Sequence, residues 1–196
     1  MNITLFGGSF NPPHLGHQLV ISQAFEFVKS IDEIWLLPDY QHSPVNNKNL
    51  APVKHRLVMT KSLLNGQVRL ETCCLAEKMS GNTIEHITYL EKKHPQYTFS
   101  FLLGSDNLKA FNQWPDYKTL LKKMTFYIYP RASFPLKPLY PNMQPIKHPL
   151  QIITNISSTM VRKRLKQNLS IKHLVPEKIG EYIKQNQLYS TSSIKV

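Results

Sequence analysis

Only two cysteines occur in 196 residues, and they are neighbours, Cys73 and Cys74. Adjacent cysteines rarely bridge, and two of them supply neither a disulfide framework nor zinc-ligand spacing. The expectation is a reducing compartment, with the pair as ordinary residues at the end of a strand. Acidic residues are also scarce: 12 Asp and Glu stand against 24 Lys and Arg, a formal net charge of +12. That imbalance turns the chain toward anionic partners, whether nucleotides, nucleic acid or a membrane surface. The basic residues are scattered, denser only near residues 118–123 and 162–172. A nucleic-acid binder would instead carry a basic stripe with interleaved aromatics. No apolar run is long enough to span a bilayer. The opening residues lack the basic segment and long apolar stretch of a signal peptide, so a cytoplasmic location is expected. A Walker-type lysine and a DFG-type aspartate are both missing, which argues against a P-loop enzyme or a kinase.

Apolar residues make up 41% of the chain, enough for a core in one α/β domain of this length. Apolar runs predict strands at 3–6, 33–37, 67–72, 98–103, 125–129 and 151–154. Helical stripes fall between them: Leu15, Leu19, Val20, Phe25 and Val28; then Val53, Leu57, Val58 and Leu64 behind Pro52; then Ile84, Ile87 and Leu90, capped by Asn82 or Thr83 and stopped at His94-Pro95. A short basic helix follows at 117–123, and two helices close the chain near 158–167 and 176–187. Prolines at 135, 138, 141, 145 and 149 predict an irregular, ordered but mobile surface segment over 131–149. Strand–helix alternation implies a doubly wound, mostly parallel sheet of about five to six strands with helices on both faces. Residues 1–190 read as one domain, with 155–190 a small C-terminal helical part and 191–196 a tail. Ligands in such sheets bind at the carboxyl ends of strands, where the most informative loops fall.

The first of those loops is Gly7-Gly8-Ser9-Phe10-Asn11-Pro12-Pro13-His14-Leu15-Gly16-His17. It reads as strand, glycine-rich turn and helix start. Two glycines let the backbone turn sharply and approach a ligand closely. A helix N-terminus offers free N–H groups and positive dipole, which suit phosphate. His14 and His17, three residues apart, share a helical face. Imidazoles beside free amides suit a polyphosphate undergoing substitution. About 140 residues later comes Ile156-Ser157-Ser158-Thr159-Met160-Val161-Arg162. Its hydroxyls either cap a helix or meet a phosphate, and Arg162, one turn on, brings a planar fork to the same anion.

GGSFNPPHLGH with ISSTMVR resembles the HxGH nucleotidyltransferase superfamily, and the longer opening string is similar to its nicotinate-mononucleotide adenylyltransferase branch. The middle of the chain is similar too. Leu103-Gly104-Ser105-Asp106-Asn107-Leu108 with Trp114 resembles the GxDxL…W segment of that branch, and Ser80-Gly81-Asn82-Thr83 resembles its SYT or SGxT. The resemblance runs from residue 3 to about 189 and implies a Rossmann-like fold. It departs after Leu37, where many members carry PPHK and this chain has Tyr40-Gln41-His42-Ser43-Pro44 and then Lys48.

What the resemblance implies is adenylyl transfer from ATP to nicotinate mononucleotide, giving deamido-NAD and pyrophosphate. The alternative is an enzyme preferring nicotinamide mononucleotide or taking both. A pantetheine-phosphate adenylyltransferase shares the two end motifs but lacks GxDxL…W. Catalysis would rest on His14, His17 and Arg162, with a protonated His17 facing charge that grows on the bridging oxygen. ATP would meet Gly7, Gly8, Phe10, His14, Gly16, His17, Gly104, Asp106, Ile156, Ser158, Thr159 and Arg162. The mononucleotide would meet Gly8, Ser9, Phe10, Thr83, Asp106 and Trp114. Trp114 stacks on the pyridine or serves the core; His42 and Lys48 serve the ATP phosphates or only the surface. Mg²⁺ would arrive with ATP, since no carboxylate cluster stands ready for it. A homodimer is left open, and partners other than the two nucleotides are not expected.

Overall fold

The computed structural model describes residues 1–39, 50–77, 79 and 81–189, except the side chains of Cys74 and Leu75. His42, Lys48 and Ser80 lie outside the described residues. Six strands form one sheet: β1 (Asn2–Gly8), β2 (Glu33–Pro38), β3 (Val68–Leu70), β4 (Thr98–Gly104), β5 (Thr125–Tyr129) and β6 (Met143–Pro145). Their order is β3-β2-β1-β4-β5-β6 and every pairing is parallel. The order reverses between β1 and β4, so a crevice opens above their carboxyl ends. The helices are α1 (Leu15–Phe27), α2 (Val53–Lys61), α3 (Cys73–Ala76), α4 (Thr83–Lys93), α5 (Tyr117–Lys123), α6 (Ser158–Lys166) and α7 (Glu177–Gln185).

The two-residue period of strands sorts the core into two layers. Ile3, Leu5, Trp35, Leu37, Phe99, Phe101, Leu103, Phe126 and Ile128 face one side, under Ile87 and Leu90 of α4 and Leu120 and Leu121 of α5. Ile34, Leu36, Leu102 and Tyr129 face the other, under Val20, Ile21 and Ala24 of α1. A third, smaller core joins Met59 of α2 to Val161 of α6 and to Ile179 and Ile183 of α7. It packs the closing helices α6 and α7 against α2.

Two expectations change, and one element is added. The sixth strand is not 151–154 but Met143–Pro145, inside the proline-rich segment. It sits at the sheet edge, where prolines are tolerated because one side of the strand needs no donor. Only Met143 of its three residues is buried, so alternation never shows. Residues 151–154 have the apolar content of a strand, yet Ile152 is 61% exposed. The backbone there bonds a side chain rather than a neighbouring strand: Ile152 N donates to Gln23 Oε1 at 2.7 Å, and Ile152 O accepts from Gln23 Nε2 at 3.0 Å and from the Tyr129 hydroxyl at 2.6 Å. Cys73 opens the single turn of α3 instead of ending a strand. Finally, Gly104 leads into a 3-10 helix over Ser105–Gln113, which periodicity did not reveal.

Candidate active site

The opening glycines do not make the turn. Gly7 and Gly8 are still in β1, paired with Leu37 and Pro38. The turn falls at Phe10, with φ at 45°, and its ring is sunk in the core against α1. Gly7 matters for space, because a Cβ there would lie 3.1 Å from the Phe101 ring. Phe10 therefore offers a ligand its backbone only.

Beneath the loop lies Arg56, 1% exposed. Its Nε donates to Ala51 O at 3.1 Å and its Nη1 to Ser9 O at 2.9 Å. A buried guanidinium is retained when its donors are taken up, and here it fixes the loop from below. Sequence reading gave Arg56 no role; nothing in a polar stretch marks one arginine as buried.

His14 caps α1 and His17 stands one turn in. Their rings lie 3.7 Å apart, centroid to centroid. His17 Nδ1 accepts the His14 backbone N–H at 3.1 Å, so in the neutral ring the proton resides on Nε2. Burial, with repulsion from Arg131, holds His17 down to about 3, while the bond to His14 pulls the other way. Burial, then the charges of His17 and Arg131, push His14 down further still. Both rings are neutral at physiological pH in the free protein. The expectation of a protonated His17 concerns the complex with a polyanion; in the free protein its Nε2–H is already a donor without a second proton. His14 is 3% exposed and its buried Nδ1 has no hydrogen-bond partner.

Helix α6 brings the far motif onto this loop. Ser157, not Ser158, is its cap, accepting from Met160 N at 3.2 Å. Ser158 Oγ gives its one proton to Pro12 O at 2.8 Å. Arg162 Nη1 donates to Asn11 O at 2.7 Å and Nη2 to Thr159 Oγ1 at 3.2 Å. The Ser158 hydroxyl therefore has nothing left to donate to a phosphate, contrary to expectation, although its position in the first turn presents backbone amides. Arg162 retains three of its five N–H groups.

A cavity of about 460 Å³ lies at the crevice, lined by Gly7, Gly8, Asp39, Gly81, Asn82, Thr83, Gly104, Asn107 and Trp114 among others. Thr83 begins α4, so the cavity receives a helix N-terminus. Trp114 does both things weighed for it: it packs on Phe101 and Phe111, with centroids 6.1 and 5.2 Å away, and it lines the cavity. Asp106 is exposed and does not line it; its neighbour Asn107 does. Asp106 instead covers Gly104, where a Cβ would strike its Oδ1. Asp39, which sequence reading passed over, is the one ionisable residue among the described residues that line it. Burial pushes its carboxyl up to about 6, against the pull of Arg56.

Residues 7–17, Gly104–Asp106 and 156–162 thus meet beside a cavity that carries Thr83 and Trp114. Among the described residues no group of three His, Cys, Asp or Glu could hold a metal ion. No described helix is long and apolar enough to cross a membrane.

A parallel sheet with paired histidines at the first strand–helix junction, faced by a second helix start, defines a nucleotide-handling protein of the Rossmann-like class. The family model of cytidylyltransferase-like proteins matches residues 5–164. A curated relative from Salinibacter ruber, named probable nicotinate-nucleotide adenylyltransferase, is 33% identical over 192 residues, 96% of this chain and 98% of its own length. One of the same name from Lactiplantibacillus plantarum is 33% identical, covering 95% and 87%. The nicotinic acid mononucleotide adenylyltransferase of Plasmodium falciparum, complexed with NaAD, superposes with a TM-score of 0.81 at 27% identity, covering 96% and 97%. The chain belongs to the nicotinate-nucleotide adenylyltransferases within the cytidylyltransferase-like family.

Proposed function

We propose that the protein transfers the adenylyl group of ATP to nicotinate mononucleotide, giving deamido-NAD and pyrophosphate. The observation that carries this reading is the convergence of the two histidines, the α6 motif and an aromatic-walled cavity on one crevice. The relatives' names and the NaAD-bound structure support the same substrate class.

The mononucleotide's phosphate oxygen attacks the α-phosphorus of ATP. One O–P bond forms, the bond to the bridging oxygen breaks, and the electron pair leaves with pyrophosphate. No proton moves and no protein nucleophile is needed, because the attacking oxygen is already anionic. The protein aligns two polyanions and donates hydrogen bonds to the oxygens that gain charge. His14 and His17 face the α- and β-phosphates. The free N–H groups of Arg162, Thr159 and the first-turn amides of α6 hold the β- and γ-phosphates. Gly8 and Ser9 face the mononucleotide's phosphate.

The pyridine rests on Trp114, whose negative face suits a pyridinium. Its carboxylate meets the N-terminus of α4 at Thr83. An anion suits such an end through dipole and donors alike, whereas a carboxamide also needs an acceptor. That difference favours the nicotinate form. Gly104 and Asp106 receive the adenosine ribose, and Gly16 and Ile156 flank the base. ATP is taken as its Mg²⁺ complex, the ion riding on phosphate oxygens and water. These substrates are water-soluble metabolites, which fits a cytoplasmic location.

Isotope tracing tests the reaction. With nicotinate mononucleotide, label in the α-phosphate of ATP should enter the dinucleotide and label in the γ-phosphate should leave as pyrophosphate. Label in the γ-phosphate passing to the acceptor would reverse the reading.

A further inference from the structure

One cation in the crevice has no place in the mechanism so far. Arg131 follows β5 and crosses the end of β4: its backbone N–H donates to Ser105 Oγ at 2.9 Å. Its stem passes over Gly104, where a Cβ would lie 3.3 Å from Arg131 Cγ. Its Nη2 donates to Ile156 O at 3.2 Å. That same carbonyl lies 3.2 Å from where a Cβ on Gly16 would stand. The guanidinium therefore spans from the Gly104 turn to the approach of α6, beside the start of α1.

The head group is under-used. Arg131 Nε is buried and has no hydrogen-bond partner, and no described carboxylate pairs with the guanidinium. A buried N–H without an acceptor is costly, and a charged one more so. The nearby group with the same defect is His14, whose Nδ1 is also buried and unpartnered. Arg131 is close enough to both histidines for its charge to help keep them unprotonated. A buried guanidinium N–H without an acceptor, beside the first-turn histidines of α1, calls for an anionic acceptor.

We propose that Arg131 is a further substrate-contacting residue of adenylyl transfer, donating from Nε to an α-phosphate oxygen while Nη2 stays on Ile156. The assignment to the α-phosphate rests on the function proposed above. With the ribose on Gly104 and Asp106 and the phosphates on His14 and His17, a cation over Gly104 falls where the 5′-phosphate leaves the ribose. The α-phosphorus is the centre at which bonds form and break, so a planar donor there acts on charge that shifts during transfer. The tether to Ile156 fixes the fork in advance, so little rotamer freedom is lost on binding.

The test compares Arg131→Met, which keeps the stem over Gly104, with Arg131→Lys. Arg131→Met should lower kcat by about a hundredfold, with KM for the mononucleotide changed less than threefold, and Arg131→Lys should regain part of that loss. In the ligand-free protein, NMR titration should show the His17 ring of Arg131→Met protonating at higher pH than in the parent. Binding of α,β-methylene-ATP, read by calorimetry, should weaken at least tenfold. Unchanged kcat and unchanged analogue binding in a folded Arg131→Met would overturn the proposal. If the parent made no deamido-NAD yet bound the analogue through Arg131, only the pyridine reading would fall; if Arg131→Met proved unfolded, Arg131→Lys with parental kcat and analogue affinity would still overturn it.

Discussion

The hydroxyl of Tyr189 donates to the side-chain carbonyl of Asn11 over 2.7 Å, across 178 residues of sequence. The same oxygen accepts from Ala51 N at 3.0 Å, and the Asn11 backbone carbonyl accepts from Arg162. One residue of the phosphate loop is thereby fastened to Tyr189 beyond α7, to the approach to α2 and to α6. Burial raises the Tyr189 phenol further above its usual range, so its proton is always present to donate.

Tyr189→Phe removes that donor and little else. A net loss of about 1 kcal/mol in unfolding free energy is expected, read by urea denaturation. KM for ATP should rise severalfold, because Asn11 also places Arg162, while kcat changes little. Parental values of both would show that the Asn11 junction does not set the loop.

His17→Ala deletes a donor aimed at charge that forms during transfer. Loss of one such donor lowers kcat by about a hundredfold or more. Circular dichroism should be unchanged, since the ring makes one hydrogen bond, to the His14 backbone, and is not part of the described apolar core clusters. Turnover within threefold of the parent would remove His17 from the mechanism.

Acid stability has a worked sign. His17 titrates at about 3 folded against 6.5 in an ordinary setting, so the unfolded chain binds more protons between those values. Its contribution to stability is whole above pH 6.5 and is lost as pH falls toward 3. His14 and His86 shift in the same direction. Asp39 opposes them: it titrates at about 6 folded against 3.8, so its contribution is whole below pH 3.8 and lost as pH rises through 6. The Tm should fall between pH 6.5 and 4.5. Asp39→Asn should raise Tm at pH 7.5 and barely alter it at pH 4, a contrast that thermal melts in two buffers will read.

Gly16→Ala would set a Cβ 2.8 Å from His14 Nδ1 and 3.2 Å from Ile156 O. The second neighbour is backbone and cannot swing away, so His14 or the α6 approach must shift. A displacement of about 1 Å at a reacting centre costs up to about a hundredfold. We expect kcat at least tenfold down with the fold retained, and full activity in a folded variant would show the spacing to be slack.

Much of this was legible in the sequence because the motifs are local. Residues 7–17 and 156–162 each span one strand–helix or loop–helix junction, and their backbone geometry follows from neighbours. The parallel sheet followed from strand–helix alternation. Long-range economies were not legible. Ser158 looks like a phosphate donor until Pro12 takes its proton. Arg56 and Arg131 look like two more surface cations in a chain of net charge +12; only the fold sets one under Ser9 and the other over Gly104. Met143–Pro145 pairs as a strand because β5 offers it an edge, a cause no run of five prolines discloses. Asp106 drew attention through its motif, whereas the cavity took Asn107.

The central claim is that this crevice joins ATP to a pyridine mononucleotide and prefers the carboxylated one. The most direct measurement is kcat/KM for nicotinate and for nicotinamide mononucleotide at saturating ATP, followed by pyrophosphate release. The account predicts turnover of both at most and a preference of at least tenfold for the nicotinate form, from the α4 N-terminus at Thr83. No pyrophosphate with either mononucleotide, or a preference for the nicotinamide form, would contradict it.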